Sequence, residues 1–382
     1  MNRIKDFLTF INEAEIASTS TGSAGARFQF PLGKYKIEDI APADLSTLRE
    51  NIAKDIIAKL KDGNAYTGPT EINLVASTST INVTPALRKQ LASEGFPEKP
   101  GDKTGNYALC QARLKTITDL MFGMLQIDPT NQDQMGQFEK IYTVKKTPIP
   151  DQSPSEKSQY IESTIKYTGQ KIKDQINCDT PLQLSGKQAS ESENFVGYSN
   201  DNVALVASPN TKVTFKFRPG NIPDCLFWYQ NPTSYGLTPF LGNKQSREKT
   251  GNEEYRGKVN ALGKYAEKGN FEKRLNAQKD ALITAMKTEI SKFIDAGSAE
   301  KLINSVVLDK DGNISVREED QKNAQLYNVD VVKSPYSKDV KLRAFSPLSD
   351  TQFGIATLCS LPQIDTATGK ISGYTPYQPT QA

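Results

Sequence analysis

The chain has 382 residues, with 47 basic and 44 acidic side chains giving a net charge of +3, and its 37% apolar content is ordinary for a globular protein. At roughly 150 residues per domain this length allows about two domains. A near-balanced charge excludes a global field for nucleic acid or an anionic membrane, and no run of about 18 apolar residues suggests a membrane span. Histidine is absent, which removes the commonest general base and excludes any Ser-His or Cys-His nucleophile.

Residues 1–16 place Ile4, Phe7, Leu8 and Ile11 at helical spacing, predicting a short amphipathic helix that serves as a targeting or docking tag. Arg3, Lys5, Asp6, Glu13 and Glu15 interrupt its apolar residues, so it does not read as a secretory signal and implies residence in the cytoplasm of the producing cell. Residues 17–26, rich in Ser, Thr, Gly and Ala, read as a flexible linker. Phe28-Gln29-Phe30 reads as a strand, followed by a helix from Pro42 to about Lys61 with Leu45, Leu48, Ile52, Ile56 and Leu60 on one face.

A second strand is predicted at Glu71–Ala76 and a second long helix at Asn106–Leu125, with a short helix over Pro85–Ser93 between them. The intervening loop, residues 80–105, is far longer than usual for such a connection and suggests a partner surface or a lid. Beyond it, Ile141–Val144 reads as a strand, Ser155–Ile176 as a polar helix, and Cys178–Asn200 as a polar loop. Val203–Val206 and the alternating Thr211–Arg218 read as strands, the latter closing the first sheet.

From 221 to 362 the pattern predicts a mixed α/β assembly domain, opening with an aromatic-rich loop that holds Phe227, Trp228, Tyr229 and Tyr235. Those rings suit either stacking on a sugar or partner, or core packing. A charged helical stretch covers Glu253–Ala296, and its mixed charge suits a solvated or intersubunit face better than a nucleic-acid surface. Val306–Leu361 alternates short strands and turns, and residues 363–382 read as a loose tail.

Asp309, Asp311 and Asn313 copy the first ligand positions of an EF-hand loop, but Ile314 stands where that loop needs glycine and Asp320 where it needs glutamate. A hairpin turn between Val306–Leu308 and Ile314–Val316 accounts for the same residues. Cys110, Cys178, Cys225 and Cys359 lie far apart without metal-ligand spacing and read as buried free thiols. No metal and no cofactor is expected, and no catalytic constellation stands out.

Two resemblances add to this reading. The strand end Ala76-Ser77-Thr78-Ser79, followed by Asn106, Leu109 and Arg113 at matched spacing on a helix, resembles the OmpA-like family. It implies an α/β (α+β) fold, a βαβαβ two-layer sandwich over residues 27–220 with insertions at 80–105 and 130–200. It also implies a ligand site for peptidoglycan at Arg113, Asn106, Ser79 and Thr78. In that family an Asp pairs with the ligand's ammonium and the Arg with its carboxylate; here Ser79 replaces the Asp, and Asp102 in the inserted loop could substitute for it.

The second resemblance lies in the N-terminal helix ending Ile11-Asn12-Glu13-Ala14, which looks like the head-targeting peptides of proteins packaged by large contractile-tailed bacteriophages. It implies cleavage between Glu13 and Ala14. Together these predict a non-enzymatic virion structural protein whose partners are other virion proteins, or alternatively a module that binds peptidoglycan of the host wall. Neither a membrane span nor nucleic acid enters this reading.

Overall fold

A computed structural model describes residues 27–154, 156–171, 176–178, 183–187, 197–198, 203–219, 224–242, 276–277, 279–318, 327–346 and 352–377. The N-terminal tag, with Glu13 and Ala14, lies outside the described residues, as does residues 253–275 of the charged stretch. The architecture is α+β, with helices and strands distributed among several sheets.

The first sheet is built from β1 (Arg27–Gln29), β2 (Thr70–Ser77), β3 (Tyr142–Ile149) and β4 (Tyr160–Tyr167) in the order β1-β4-β2-β3. Strands β2 and β3 are parallel, while β4 runs antiparallel to both β1 and β2. Its helices are α1 (Pro42–Asp55), α2 (Leu60–Gly63), α3 (Pro85–Ser93), α4 (Asn106–Leu125) and α5 (Gln132–Glu139). Alternation in β2 turns Ile72, Leu74 and Ala76 toward the helices, where Ile52, Ile56, Leu114, Ile117 and Met121 complete one core.

Helix α3 starts on Pro85 behind the Thr84 hydroxyl, which accepts from Leu87 N at 3.3 Å, a standard N-cap arrangement. Helix α4 is almost wholly buried, and it ends at Gln126 in the left-handed region (φ 58°). Both helices occupy the residues that the sequence pattern predicts.

Several expectations are corrected. The stretch from Ser155 was expected to be a polar helix; its centre is β4, because Ile161, Ser163 and Ile165 alternate inward against β2. The region 130–200 therefore contains two strands of the first sheet instead of being a plain insertion. Lys212–Arg218 does not close that sheet but pairs with strands from the end of the chain.

The remaining strands are β5 (Ile176–Asn177), β6 (Gln183–Lys187), β7 (Gly197–Tyr198), β8 (Val203–Val206), β9 (Lys212–Arg218), β10 (Cys225–Asn231), β11 (Ser234–Leu237) and β12 (Phe240–Gly242). Two helices follow, α6 (Lys279–Ile290) and α7 (Ala296–Val307). The chain continues through β13 (Val316–Glu318), β14 (Tyr327–Val332), β15 (Asp339–Ser346), β16 (Gln352–Ile364) and β17 (Ile371–Pro376).

These make a three-layer second domain. One sheet runs β14-β9-β16-β17, with β6 also on β16, and a second runs β11-β10-β15-β8-β5, with β7 also on β15. Val213, Phe215, Phe217, Val329, Val331 and Ile355 of the first face Leu205, Leu226, Val340 and Leu342 of the second. The far side of the second sheet, through Cys225, Phe227 and Phe345, is covered by Leu282, Met286 and Ile290 of α6 and Ala299, Ile303 and Val307 of α7. A parallel pair, β12-β13, joins the start of β10 through a bridge between Leu241 and Asp224 and buries Phe240 and Leu241 in the same cores.

Four more readings change here. Val306 and Val307 end a helix, since Ala299, Ile303 and Val307 recur at helical spacing and are fully buried. The aromatic stretch forms β10 to β12, with Phe227 in the core under the helices and Tyr229 and Tyr235 packed against it, while Trp228 packs on the other side against the core between the sheets. Trp228 lies across Gly236 so closely that a Cβ there would sit 2.6 Å from its indole nitrogen. Residues 371–376, expected to be loose, are β17; and Cys178 and Cys359 form a disulfide, leaving Cys110 and Cys225 as buried thiols.

The Asp309 turn is a local cap. Its carboxylate accepts from Asp311 N and Asn313 N at 2.9 Å each, under a bridge between Leu308 and Ile314. Gly312 takes the left-handed conformation there, φ 76°.

Candidate functional site

The residues singled out by the sequence do come together, at the end of the first sheet where β2 stops and α4 begins. Thr78 and Ser79 are fully buried, Asn106 is 1% exposed, and Arg113, the largest fully buried side chain in the described residues, is 0% exposed. Asn106 is the first residue of α4, following Gly105 in the left-handed region (φ 75°). That bend sends its Nδ2 back to Ser79 O at 2.9 Å, Ile81 O at 3.1 Å and Asp151 Oδ1 at 2.6 Å.

Arg113, two helical turns further, reaches the same centre from below. Its Nε donates to Lys34 O at 2.8 Å, Nη2 to Pro31 O at 3.0 Å, and Nη1 to Ser77 O at 3.5 Å and to Gln159 Oε1 at 2.6 Å. The guanidinium carbon lies 5.1 Å from the Phe30 ring centroid, adding a cation–π contact. Every acceptor is neutral, and among the described residues no carboxylate forms an ion pair with Arg113. Burial lowers its pKa to about 10, so it stays charged at neutral pH.

Gln159, which sequence reasoning missed, completes the arrangement. Its side chain is 1% exposed, offers Oε1 to Arg113, and donates from Nε2 to the Ser79 hydroxyl at 2.5 Å. One amide thus bridges the two positions at which the OmpA-like resemblance puts a ligand's carboxylate and ammonium. Gln159 is held in place because its own carbonyl accepts from Phe30 N at 2.7 Å as the chain enters β4. No spacing rule marks this glutamine; only the fold-back of β4 beside β1 and β2 delivers it.

Asp102, the expected substitute acid, is committed elsewhere. It caps α4, accepting from the Thr104 hydroxyl at 2.7 Å, Thr104 N at 2.9 Å, Gly105 N at 3.0 Å and Tyr107 N at 3.1 Å, and against the cost of burial these bonds, the hydroxyl's first, hold its carboxyl below the usual range. Cys110 lies beside Thr78, its Sγ 3.8 Å from the hydroxyl, and burial pushes the thiol up to about 11, which leaves it unreactive.

The centre is therefore a filled polar knot: a cation solvated by the protein's own carbonyls and one internal amide. Such a knot rigidifies a fold when all its members are satisfied. Among the described residues no cluster of acidic or cysteine side chains suits a metal ion, and no helix is long and apolar enough to cross a membrane. No family model, curated protein or solved structure matches the chain.

Proposed function

We propose that the chain is a non-enzymatic structural protein of a tailed bacteriophage particle, in which an OmpA-like first domain serves as an assembly module. The observation that carries the non-enzymatic, assembly reading is the occupation of the Arg113 centre by Gln159. With Arg113 directed at Pro31 O, Lys34 O, Ser77 O and Gln159 Oε1, a ligand carboxylate would have to displace internal partners already at hydrogen-bond distance. The phage reading is supported by the sequence pattern alone, the apolar spacing of Ile4, Phe7, Leu8 and Ile11 followed by Ile11-Asn12-Glu13-Ala14. The OmpA-like reading is supported by the element order strand, helix, strand, helix, strand on one sheet, and by the convergence of Thr78, Ser79, Asn106 and Arg113.

The alternative, a peptidoglycan-binding module, is favoured by that same convergence and opposed by Gln159. Protein sequencing of purified particles tests the first reading: finding the chain there with Ala14 as its first residue supports packaging and processing, and its absence from particles refutes it. Co-sedimentation with insoluble peptidoglycan tests the second. The wild-type chain is expected to stay in the supernatant, and saturable retention would replace the assembly reading.

A further inference from the structure

The two domains exchange long cations. From the first, Arg49 on α1, 8% exposed, donates from Nη1 to Thr366 O at 2.7 Å and to Ala367 O. Those carbonyls belong to the turn joining β16 to β17, which Asp365 closes by accepting from Ala367 N at 2.8 Å and from the Thr368 hydroxyl at 2.9 Å. The turn is pressed onto the first domain: a Cβ on Gly369 (φ 74°) would lie 3.2 Å from Arg49 Nε and 3.7 Å from Met124 Cγ. Ile364, just before the turn, packs against the first domain's core.

In the other direction, Lys338 from the connection between β14 and β15 seats its ammonium among Tyr66 O at 2.9 Å, Thr67 O at 2.9 Å and Gly68 O at 2.7 Å. The connection is wound around Lys333, fully buried, whose Nζ donates to Ser334 O at 2.9 Å and to Ser337 O. Between the two clasps run Asn64 Nδ2 to Ala207 O at 3.2 Å, Asn210 Nδ2 to Leu125 O at 3.2 Å and Tyr336 Oη to Gln134 Oε1 at 2.8 Å.

We infer that this reciprocal exchange is a lock that holds the two domains as one rigid body and that it withstands salt. Domains within one chain commonly meet through polar surfaces that allow relative motion. Here each domain supplies a cation to a turn of the other, so neither can rotate away without stripping an ammonium or guanidinium of its acceptors. The acceptors are backbone carbonyls, fixed by the fold, and Arg49 is buried. Screening by mobile ions acts chiefly between exposed charges, so it weakens the attraction of Arg49 to Asp365 and of Lys338 to Asp339 while leaving the bonds to the carbonyls in place. The inference is independent of the particle reading, since it concerns only the chain's own domains.

Hydrogen–deuterium exchange on the full chain tests it, comparing wild type with Arg49→Met, Lys338→Met and the double variant, each at low salt and at about 1 M NaCl. Losing charged-group hydrogen bonds at one clasp is expected to raise opening, and so exchange, about tenfold to a hundredfold. The rise should fall in residues 64–68, 207–211 and 365–370 while β9 and β15 stay protected, and wild-type rates should change little with salt. Lys338→Met, at a half-buried position outside the apolar cores, keeps the test decisive if Arg49 variants fail to fold. Unchanged exchange in that variant, a rise spread evenly into β9 and β15, or a salt-dependent rise in wild type at the junction as large as the variant's would each overturn the lock.

Discussion

The two domains organise their interiors in different ways. Beside its apolar core, the first buries a cation at the end of its sheet with neutral partners, surrounding it with carbonyls, a serine, an asparagine and an internal glutamine. The second also buries a cation, Arg343 of β15, but pairs it with the Glu289 carboxylate of α6, among phenylalanines and aliphatic residues between two sheets and under two helices, and it stitches one edge of its apolar core with Cys178–Cys359. The difference teaches where each is vulnerable. A polar knot depends on every partner being present, whereas an apolar core tolerates change in proportion to volume.

Arg113→Met gives the largest expected effect. It leaves several buried carbonyls and the Gln159 amide without a donor, and it should cost about 3–5 kcal/mol, seen in urea denaturation as loss of the first domain's transition. A cost under about 1 kcal/mol would show that the knot is not organising the domain. Cys359→Ser comes next: the bridge spans 181 residues, and its removal should cost about 2–5 kcal/mol. That loss should appear in the second domain alone, and should equal the effect of a reductant on the wild type.

The third prediction concerns pH. Burial lowers the Lys333 pKa from 10.5 to about 7 in the folded chain, with Asp339 opposing the shift and Lys338 and Lys341 close to that carboxylate. Between these values the unfolded state binds the extra proton, so stability rises as pH increases from about 7 toward 10. The slope contributed by this one group is at most about a tenfold change in the unfolding constant per pH unit. Lys333→Met should flatten that slope in denaturation midpoints measured across the window. An unchanged slope would assign it to another group.

The smallest effect is expected for Gln159→Glu, which puts a carboxylate beside Arg113. Pairing should depress the folded-state pKa of the new acid, so its stabilising contribution is present above the unfolded value of about 4.3 and is lost as pH falls through the lower folded value. Gain or loss at neutral pH should stay within about 1.5 kcal/mol, because the ion pair's attraction and the burial of a second charge oppose each other. If the variant instead unfolds at neutral pH, Ser79 requires the amide as its donor and the knot is specified more narrowly than its charge alone demands.

Much of the first domain was legible because its helices carry strong local signals. Pro85 behind Thr84 marks one start, and the recurring apolar residues from Leu109 to Leu125 mark the whole of α4. Strand β4 was hidden because Ser163 sits on its inner face between Ile161 and Ile165, diluting the alternation that would identify it. The carboxyl end of α7 was misread since a short apolar run such as Val306–Leu308 suits either state, and only its packing decides. At the candidate site, Asn106 and Arg113 could be found by spacing, but Gln159 could not, because the contact that gives it meaning joins residues 80 apart. The Cys178–Cys359 pairing is invisible for the same reason.

The central strands of the second domain also set an order on its making. Both β15, which joins β10 to β8, and β16, which joins β9 to β17, come from the last part of the chain, as does Cys359. The first sheet, by contrast, has all four strands by Tyr167. On the ribosome the first domain can therefore close while translation continues, but the earlier strands of the second must wait for the final stretch to emerge. A message cut short would yield a completed first sheet followed by strands lacking their centre, exposing apolar faces to aggregation and proteolysis.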